Sequence, residues 1–231
     1  MKKLFLFMTA CACAQINRPQ LGTMLDSSGG ARAVFGLPGS LGVASPSTAG
    51  VVSLGCAASC LVKTDSSLVI SGQTIAAPAG DALFAFDSSG AFVYFPREKQ
   101  LARWQSGQLT PVPFQVTGEI IGLRSVNGTP QFAVRFIDQI RIVGDGNTVV
   151  YQFPPGAQSV MLLPAGAIYS STDAIHLWRT DASEMTFPLA GATGFVAMSQ
   201  DYFEIFASGA HYALRITPGR EQLFQLPEPQ Q

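Results

Sequence analysis

Charge is scarce in this sequence. Only 13% of the 231 residues are charged, about half of the usual fraction, and 14 basic against 15 acidic side chains leave a formal net charge of −1. No cluster of lysine or arginine occurs. The sequence therefore excludes recruitment by nucleic acid or by an anionic membrane surface, because both need a positive field. Since 47% of the residues are hydrophobic, the composition indicates a chain that packs nearly throughout.

Motifs of common enzyme chemistry are missing as well. No G-x-S-x-G nucleophile motif occurs, and the glycine-rich residues 29–42 lack the lysine and the following helix of a phosphate-binding loop. The only two histidines, His176 and His211, each lie inside a strand pattern, where a packed or exposed imidazole is commoner than a catalytic one. We therefore predict no catalytic residue, no metal ligand and no cofactor.

The one long hydrophobic run lies at the N-terminus. Two lysines precede the apolar residues 4–14, which end with Ala12 and Ala14. A membrane span needs about 18 to 20 apolar residues, whereas a secretory signal with an A-x-A cleavage site fits this shorter run. We predict a signal peptide over residues 1–14 and a secreted or periplasmic product without a membrane span. A lipoprotein signal that ends in an acylated Cys11 stays open as the alternative.

Cysteine is rare too. Of the four cysteines, Cys11 and Cys13 lie in the predicted signal, which leaves Cys56 and Cys60. Two cysteines that remain in an oxidising compartment most simply pair with each other. The flanking apolar runs predict two strands joined through residues 57–59, so the two thiols face each other across a hairpin loop. We predict a Cys56–Cys60 disulfide. A metal site is the functional alternative, but neither histidine is near in sequence.

What the sequence does contain is a repeated unit of short strands. Residues 81–114 hold four apolar runs separated by turn residues. Runs this short, bounded by Gly, Ser, Asp or Pro, predict β-strands, because a helix needs about ten or more residues to present a stable face. Four strands linked by hairpins would form one small antiparallel sheet. Such a sheet needs neighbours of its own kind to bury its faces.

The same unit recurs along the chain. Its first turn falls near residues 26, 56, 87, 125, 164 and 200, at intervals of 30 to 39 residues. Stacked four-stranded units of this size are typical of a β-propeller. We therefore predict an all-β fold, a single propeller of about six four-stranded blades over residues 15–226, followed by a disordered tail at 227–231.

The N-terminal unit is the least regular one. Residues 20–50 show one clear hairpin, and then Gly, Pro, Ser and Ala in place of a second. Five blades with an irregular N-terminal unit are therefore an alternative, and we expect residues 222–226 to complete a blade shared with residues 21–35. A two-sheet sandwich is a further alternative to the propeller.

One segment of this unit resembles a known group of proteins. Residues 28–39, SGGARAVFGLPG, are similar to the SGxLRPVxGxPG motif near the start of uncharacterised, secreted, propeller-like repeat proteins from soil bacteria. The chain departs from that motif at Ala33, where proline is usual. The resemblance implies a propeller fold and export. It implies no catalytic residue, because no biochemical role is attached to the group.

The second hairpin of each unit carries recurrent large side chains. Trp104 and Trp178 occupy corresponding places, where Ile142 and Ile216 stand in other units, so we expect them to fill the space between adjacent sheets rather than to form a sugar-stacking platform. The third strands carry an arginine each, which we expect to be solvated or paired between units: Arg103, Arg141, Arg179 and Arg215.

These features predict an exported, non-catalytic binding scaffold, a monomer whose ligand is an unidentified protein or carbohydrate. The alternative is a lactonase-like metal-dependent hydrolase or lyase, which would need carboxylates that converge on the central channel. The candidates for such a site are Asp87, Glu119, Asn127, Asp138, Asp173, Asp201 and Glu204. Several of them lie in hairpin turns, where such side chains commonly satisfy backbone donors locally. A fragment that packs against other chains is a third alternative.

Overall fold

The computed structural model describes residues 18–38, 40–70, 72–137 and 139–227. The predicted signal peptide, Asp138 and most of the predicted tail lie outside these residues. Within these residues nearly all regular structure is β, with 23 strands and one short 3-10 turn at Asp145–Asn147. No described segment forms a helix that is long and apolar enough to cross a membrane.

The strands form six antiparallel sheets, named blades 1 to 6 in chain order. Blades 1 and 2 contain β1 (Gln20–Leu25), β2 (Ala31–Leu37) and β3 (Ser40–Val43), then β4 (Val51–Cys56), β5 (Cys60–Thr64), β6 (Ser67–Ile70) and β7 (Gln73–Ala76). Blades 3 and 4 contain β8 (Leu83–Asp87), β9 (Gly90–Phe95), β10 (Gln100–Gln105) and β11 (Gln108–Val112), then β12 (Glu119–Val126), β13 (Thr129–Arg135), β14 (Ile140–Val143) and β15 (Val149–Gln152). Blades 5 and 6 contain β16 (Val160–Leu163), β17 (Gly166–Ser170), β18 (Ala174–Arg179) and β19 (Glu184–Pro188), then β20 (Ala192–Ala197), β21 (Tyr202–Ala207), β22 (Ala210–Arg215) and β23 (Gln222–Gln225).

The six sheets are arranged as a six-bladed β-propeller, as the repeat predicts. Each sheet is a simple meander that begins with its innermost strand. The recurrent turn of the sequence follows that inner strand in every blade, after β1, β4, β8, β12, β16 and β20. The period of the sequence thus corresponds to one blade.

Two details of blades 1 and 6 differ from the prediction. Blade 1 has three strands instead of four, because residues 44–50 form only an isolated bridge between Thr48 and Ala31. The prediction of a blade shared by both chain ends was wrong: β23 pairs with β22, with Leu223 opposite Leu214, and therefore completes blade 6. Leu223 packs in the core between blades 5 and 6, and this burial stabilises the pairing of β23 with its own hairpin.

The ring closes between blades 1 and 6 without a shared strand. Along the open edge of β1, the N–H of Thr23 donates to the carbonyl of Met198 at 3.0 Å, and the N–H of Leu25 donates to Oε2 of Glu204 at 3.0 Å. Glycine at position 22 permits this approach, because a Cβ there would lie 2.4 Å from the oxygen of Met198. Edge donors that a shared strand would satisfy are thus satisfied across the blade interface.

A separate hydrophobic core fills each of the six blade interfaces. Trp104 packs in the core between blades 2 and 3, and Trp178 packs between blades 4 and 5, where its ring stacks on Tyr151 with centroids 4.0 Å apart. Both tryptophans therefore fill space between adjacent sheets, as predicted. The Cys56–Cys60 disulfide is also present, at the turn after β4.

Candidate functional site

A cavity of about 390 Å³ lies on the axis of the propeller. Its wall is formed mainly by the inner strands β4, β8, β12, β16 and β20 and by the residues that flank them. Among the described residues, Leu25 is the one residue of blade 1 that lines the cavity. The inner strands of blades 2 and 6 approach each other, so five inner strands surround the cavity although the ring has six blades.

The lining is largely apolar and contains three phenylalanines that the protein leaves half-buried. They are Phe84 and Phe86 of blade 3 and Phe195 of blade 6. Gly55 on β4 makes room for the first of them, because a Cβ at that position would lie 2.8 Å from the Phe84 ring. Aromatic surface that is not covered by protein favours the binding of an apolar molecule, since its removal from water stabilises the complex.

A buried cation borders the same cavity. The Arg124 side chain donates hydrogen bonds to Oε1 of Gln131 at 2.9 and 2.7 Å, and to the carbonyls of Leu163 and Gly166 at 3.3 and 3.1 Å. Within the described residues these acceptors are all neutral oxygens. Burial lowers the pKa of Arg124 from its ordinary value. The guanidinium thus brings positive charge to the cavity wall without an acidic partner in those contacts.

Among the described residues, none of the carboxylates predicted as candidates for a metal-dependent hydrolase lines this cavity. Of the predicted candidates, the described ones are distributed over turns and blade interfaces, and among the described residues the lining includes one carboxylate, Asp81, at its edge. No group of three or more His, Cys, Asp or Glu residues that could hold a metal ion occurs in the described part of the chain. Asp138 lies outside it. The geometry therefore offers no support for a lactonase-type site.

Asp87 joins blades 3 and 4. Its carboxylate accepts hydrogen bonds from both terminal nitrogens of Arg103, at 2.6 and 2.7 Å, and from the hydroxyl of Ser125 in blade 4 at 3.0 Å. It also accepts the N–H of Ser89, as expected for a turn residue. The hydrogen bonds from Arg103, followed by those from the two serines, hold the pKa of Asp87 well below its usual range despite partial burial.

The remaining candidates have local roles. Exposed Glu119 pairs with Arg135 at 3.3 Å, Asn127 adopts a positive φ of 51° in its hairpin turn, and the carbonyl of Asp201 accepts the N–H of Ile216. Of the third-strand arginines, Arg179 pairs with Glu221 of blade 6, whereas Arg103 pairs within its own blade. The predicted pairing between units is therefore found for Arg179.

Both histidines contact a glutamate, which the strand patterns did not reveal. Nδ1 of His211 lies 2.6 Å from Oε1 of Glu204, whose side chain is fully buried. Nδ1 of His176 lies 2.8 Å from Oε1 of Glu184, nearer the surface. The second contact could have been found from the hairpin register, because a short turn at residues 181–183 places Glu184 diagonally across from His176.

Comparison with known proteins finds similarity to solved structures at low identity. PorZ, described as an essential bacterial surface component of the type-IX secretion system of Porphyromonas gingivalis, is 11% identical, with a TM-score of 0.44 over 91% of this chain and 38% of its own. AztD of Citrobacter koseri is 11% identical, with a TM-score of 0.45 over 90% of this chain and 70% of its own. KlHsv2, with loop 6CD replaced by a Gly-Ser linker, is 12% identical, with a TM-score of 0.48 over 77% of this chain and 67% of its own.

At this level these matches carry no argument about function. No protein-family model matches the chain. A search of curated protein sequences finds no match either.

Proposed function

We propose that the protein is an exported binding protein whose central cavity holds a small, largely apolar molecule. The observation that carries this proposal is the cluster of half-buried phenylalanine rings around a cavity of about 390 Å³. This volume lies within the range of about 300 to 1,000 Å³ that is usual for small-molecule pockets. The sequence predicts a protein or carbohydrate ligand. An apolar wall favours a small apolar molecule over a carbohydrate, because sugar hydroxyls would lose hydrogen bonds to water there.

The buried guanidinium of Arg124 makes the cavity selective for the charge of its ligand. A cationic ligand would be repelled at the wall, whereas a neutral or anionic group with acceptor oxygens would gain from the positive charge in a poorly solvated site. The ligand class that fits best is therefore an apolar molecule with at most one acidic or acceptor group. The cavity is proposed to bind and not to transform this molecule.

Export is supported by two observations. The disulfide between Cys56 and Cys60 is typical of proteins that fold in an oxidising compartment. The N-terminal residues 1–14 have the pattern of a secretory signal, and the resemblance of residues 28–39 to secreted repeat proteins agrees with it. Mass spectrometry of the protein from its native host should show a mature N-terminus at Gln15. An intact Met1 would overturn the export proposal, and a lipid on Cys11 would establish the anchored alternative.

The binding proposal is tested with a neutral apolar probe, N-phenyl-1-naphthylamine, titrated into the purified protein by calorimetry. Val52, a 38% exposed residue of the lining, is replaced by tryptophan to fill part of the cavity. The matched control is Val149→Trp on the outer strand of blade 4, where the valine is 52% exposed. We expect saturable binding with one site, a loss of about tenfold or more in affinity for Val52→Trp, and no change for Val149→Trp.

Two outcomes contradict the proposal. One is the absence of saturable binding by the parent protein, and the other is equal binding by both tryptophan variants. A quaternary ammonium analogue of the probe serves as the charge control, and we expect it to bind at least about tenfold more weakly than the neutral probe because of Arg124.

A further inference from the structure

Three side chains on the outer half of blade 5 form a hydrogen-bonded chain that the cavity does not use. The hydroxyl of Ser171 lies 3.1 Å from Nε2 of His176, and Nδ1 of the same imidazole lies 2.8 Å from Oε1 of Glu184. A carboxylate can only accept, so the proton of the imidazole belongs on Nδ1. The other nitrogen, Nε2, is then free to accept the proton of the serine hydroxyl.

The sheet register produces this arrangement. Ser171 follows the end of β17, and His176 lies on β18 directly between Tyr169 of β17 and Thr186 of β19. Glu184 precedes Thr186 by two residues on β19, so it lies on the same face of the sheet and diagonally across from the imidazole. The three groups are therefore held by neighbouring strands of one sheet.

Tyr169 supports the imidazole and the carboxylate together. Its ring stacks on that of His176 with centroids 4.6 Å apart and an interplanar angle of 9°, and its hydroxyl donates to Oε1 of Glu184 at 2.8 Å. Burial raises the pKa of Tyr169, and the hydrogen bond to Glu184 raises it further, so the hydroxyl stays protonated as a donor. The imidazole is thus oriented from its face as well as from Nδ1.

We propose that Ser171, His176 and Glu184 form a hydrolytic site for small carboxylic esters, with Ser171 as the nucleophile. His176 is the general base, and Glu184 is a positioning residue that holds the protonated Nδ1. The site is open to solvent, because the side chains of His176 and Glu184 are 18% and 37% exposed. It lies two strands outward from the cavity wall formed by β16, and the proposal is independent of ligand binding in that cavity.

The turn that carries Ser171 supplies donors beside the nucleophile. The N–H of Ser171 donates to the carbonyl of Ala174 at 2.9 Å, which closes the turn. The N–H groups of Thr172 and Asp173, in the middle of this turn, take no part in the hydrogen bonds found among the described residues. The N–H of the residue after the nucleophile is a common donor to the oxyanion of an ester intermediate, and Thr172 has that place.

The hydroxyl proton of Ser171 has competing acceptors. Oδ1 of Asp173 lies 3.2 Å away, and the carbonyl of Ala174 lies 3.4 Å away. The contact with His176 is the shortest of the three. Rotation about the Cα–Cβ and Cβ–Oγ bonds therefore decides how often the nucleophile is activated, so we expect a slow hydrolase.

The proposed reaction is a two-step acyl transfer. Oγ of Ser171 forms a bond to the ester carbonyl carbon while its proton passes to Nε2 of His176. The tetrahedral intermediate collapses, the bond from carbon to the alcohol oxygen breaks, and that oxygen takes the proton from Nε2. Water then attacks the carbonyl carbon of the acyl-serine and gives one proton to Nε2 of His176. The bond from carbon to Oγ of Ser171 breaks, the acid leaves, and Oγ takes the proton back from Nε2.

The test uses the full chain with two reagents, a fluorophosphonate probe and p-nitrophenyl acetate. We expect the probe to label Ser171, identified by mass spectrometry of the peptide, and the ester to be hydrolysed. Ser171→Ala should abolish that label and lower the hydrolysis rate on the order of 100-fold. The matched control is Ser183→Ala in the next hairpin of blade 5, where Ser183 contacts Asp181 instead of an imidazole. This control should keep the activity of the parent protein.

The roles of the other two residues are tested by labelling kinetics. His176→Asn should slow labelling on the order of 100-fold, because the base that accepts the serine proton is lost. Glu184→Gln should slow labelling, whereas Glu184→Asp should restore part of it, which a purely structural role would not require. Unchanged melting curves of the variants establish that they fold.

Two results would overturn the proposal. In the first, Ser171 is not labelled under conditions that label a serine esterase run in parallel. In the second, Ser171 is labelled at the same rate in the parent and in the folded His176→Asn variant, so that the histidine does not activate it.

Discussion

Oε2 of Glu204 accepts a hydrogen bond of 3.0 Å from the backbone N–H of Leu25, a residue 179 positions earlier in the chain. The other oxygen of the same carboxylate lies 2.6 Å from Nδ1 of His211. One fully buried side chain therefore joins the first blade to the last and is held in place by its own blade. Many propellers close with a strand supplied by the opposite chain end, whereas this ring closes with hydrogen bonds and a shared hydrophobic core.

Replacement of Glu204 by alanine should destabilise the fold by about 3 kcal/mol, because it leaves the half-buried Leu25 N–H and the His211 imidazole without this acceptor. Urea unfolding followed by far-UV circular dichroism measures the change. Glu204→Gln is the matched variant, since its amide oxygen can still accept the Leu25 N–H. A loss below about 1 kcal/mol for Glu204→Ala would show that the carboxylate does not hold the ring closed.

The stability of the parent protein and that of Glu204→Gln should depend differently on pH. Burial raises the pKa of Glu204, against the lowering effect of the hydrogen bonds from His211 and Leu25. Folding thus favours the protonated carboxyl, and its contribution to stability is fully present below the ordinary value of 4.5 and is lost as pH rises through the raised folded value. We expect the parent to lose stability relative to Glu204→Gln as the pH rises above the ordinary value of 4.5 and through the raised folded value. A constant difference across this range would contradict the assignment.

Gly22→Ala should also weaken the closure. The added Cβ would lie 2.4 Å from the carbonyl oxygen of Met198, a backbone atom that cannot move without loss of the Thr23 hydrogen bond. We expect a loss of about 3 kcal/mol, at the upper end of overpacking effects. Gly144→Ala is the control, because its φ of −84° suits any residue and a Cβ there would meet its nearest neighbour, the carbonyl oxygen of Thr148, at an ordinary contact distance of 3.9 Å. Thermal unfolding should show a clear shift for the first variant and little for the second.

Asp87→Asn should loosen the contact between blades 3 and 4. The substitution removes the charge that pairs with Arg103 at 2.6 Å and accepts from Ser125 at 3.0 Å, and we expect a loss of about 2 kcal/mol at neutral pH. The hydrogen bonds from Arg103 hold the pKa of Asp87 well below its ordinary value of 3.8. This stability is therefore present above that value and is lost as pH falls through the lower folded one.

The control for Asp87 is Asp181→Asn. Asp181 accepts the N–H of Ser183 in the same kind of turn, at 2.9 Å, but it is exposed and lacks the contact with a neighbouring blade. We expect a smaller effect on unfolding and a smaller convergence of variant and parent in acid, because the hydrogen bonds from Ser183 also lower the pKa of Asp181 but the side chain is exposed to solvent. Equal losses for both substitutions would mean that the turn, and not the blade contact, accounts for the effect.

Removal of the disulfide should have a moderate effect. Cys56 and Cys60 are separated by 4 positions, and a loop of this size restricts the unfolded chain only slightly. The double variant Cys56→Ala, Cys60→Ala should lose about 2 kcal/mol of unfolding free energy. The reduced parent protein should behave like the double variant. A much larger loss would indicate that the blade 1 and blade 2 core around Cys56 depends on the bond.

The repeat, the strand boundaries near the turns and the Cys56–Cys60 pair could be predicted because each depends on neighbours in sequence. Apolar runs and turn residues within about 35 positions determine a blade, whatever its place in the ring. The strand shared by the two chain ends was predicted wrongly for the opposite reason. Residues 222–225 pair with the hairpin next to them, and nothing in their local pattern shows which of two edges they complete.

The cavity and the closure of the ring depended on distances that no local pattern contains. Phe84, Phe86 and Phe195 had the pattern of ordinary core residues, and only the ring shows that their faces meet one cavity from different blades. The pairing of Glu204 with Leu25 spans nearly the whole chain. The contact of His176 with Glu184 is a more local one, because it follows from the register of a single hairpin.

By itself the sequence determined the blade, because short-range hydrophobic periodicity and turn chemistry act within a single sheet. It also determined the low charge and the sparse histidine content that narrow the possible chemistry. The tertiary structure decided how the ring closes and which side chains border the axis. These properties arise from packing between strands and blades, whose geometry is set by the assembled ring and not by any one segment.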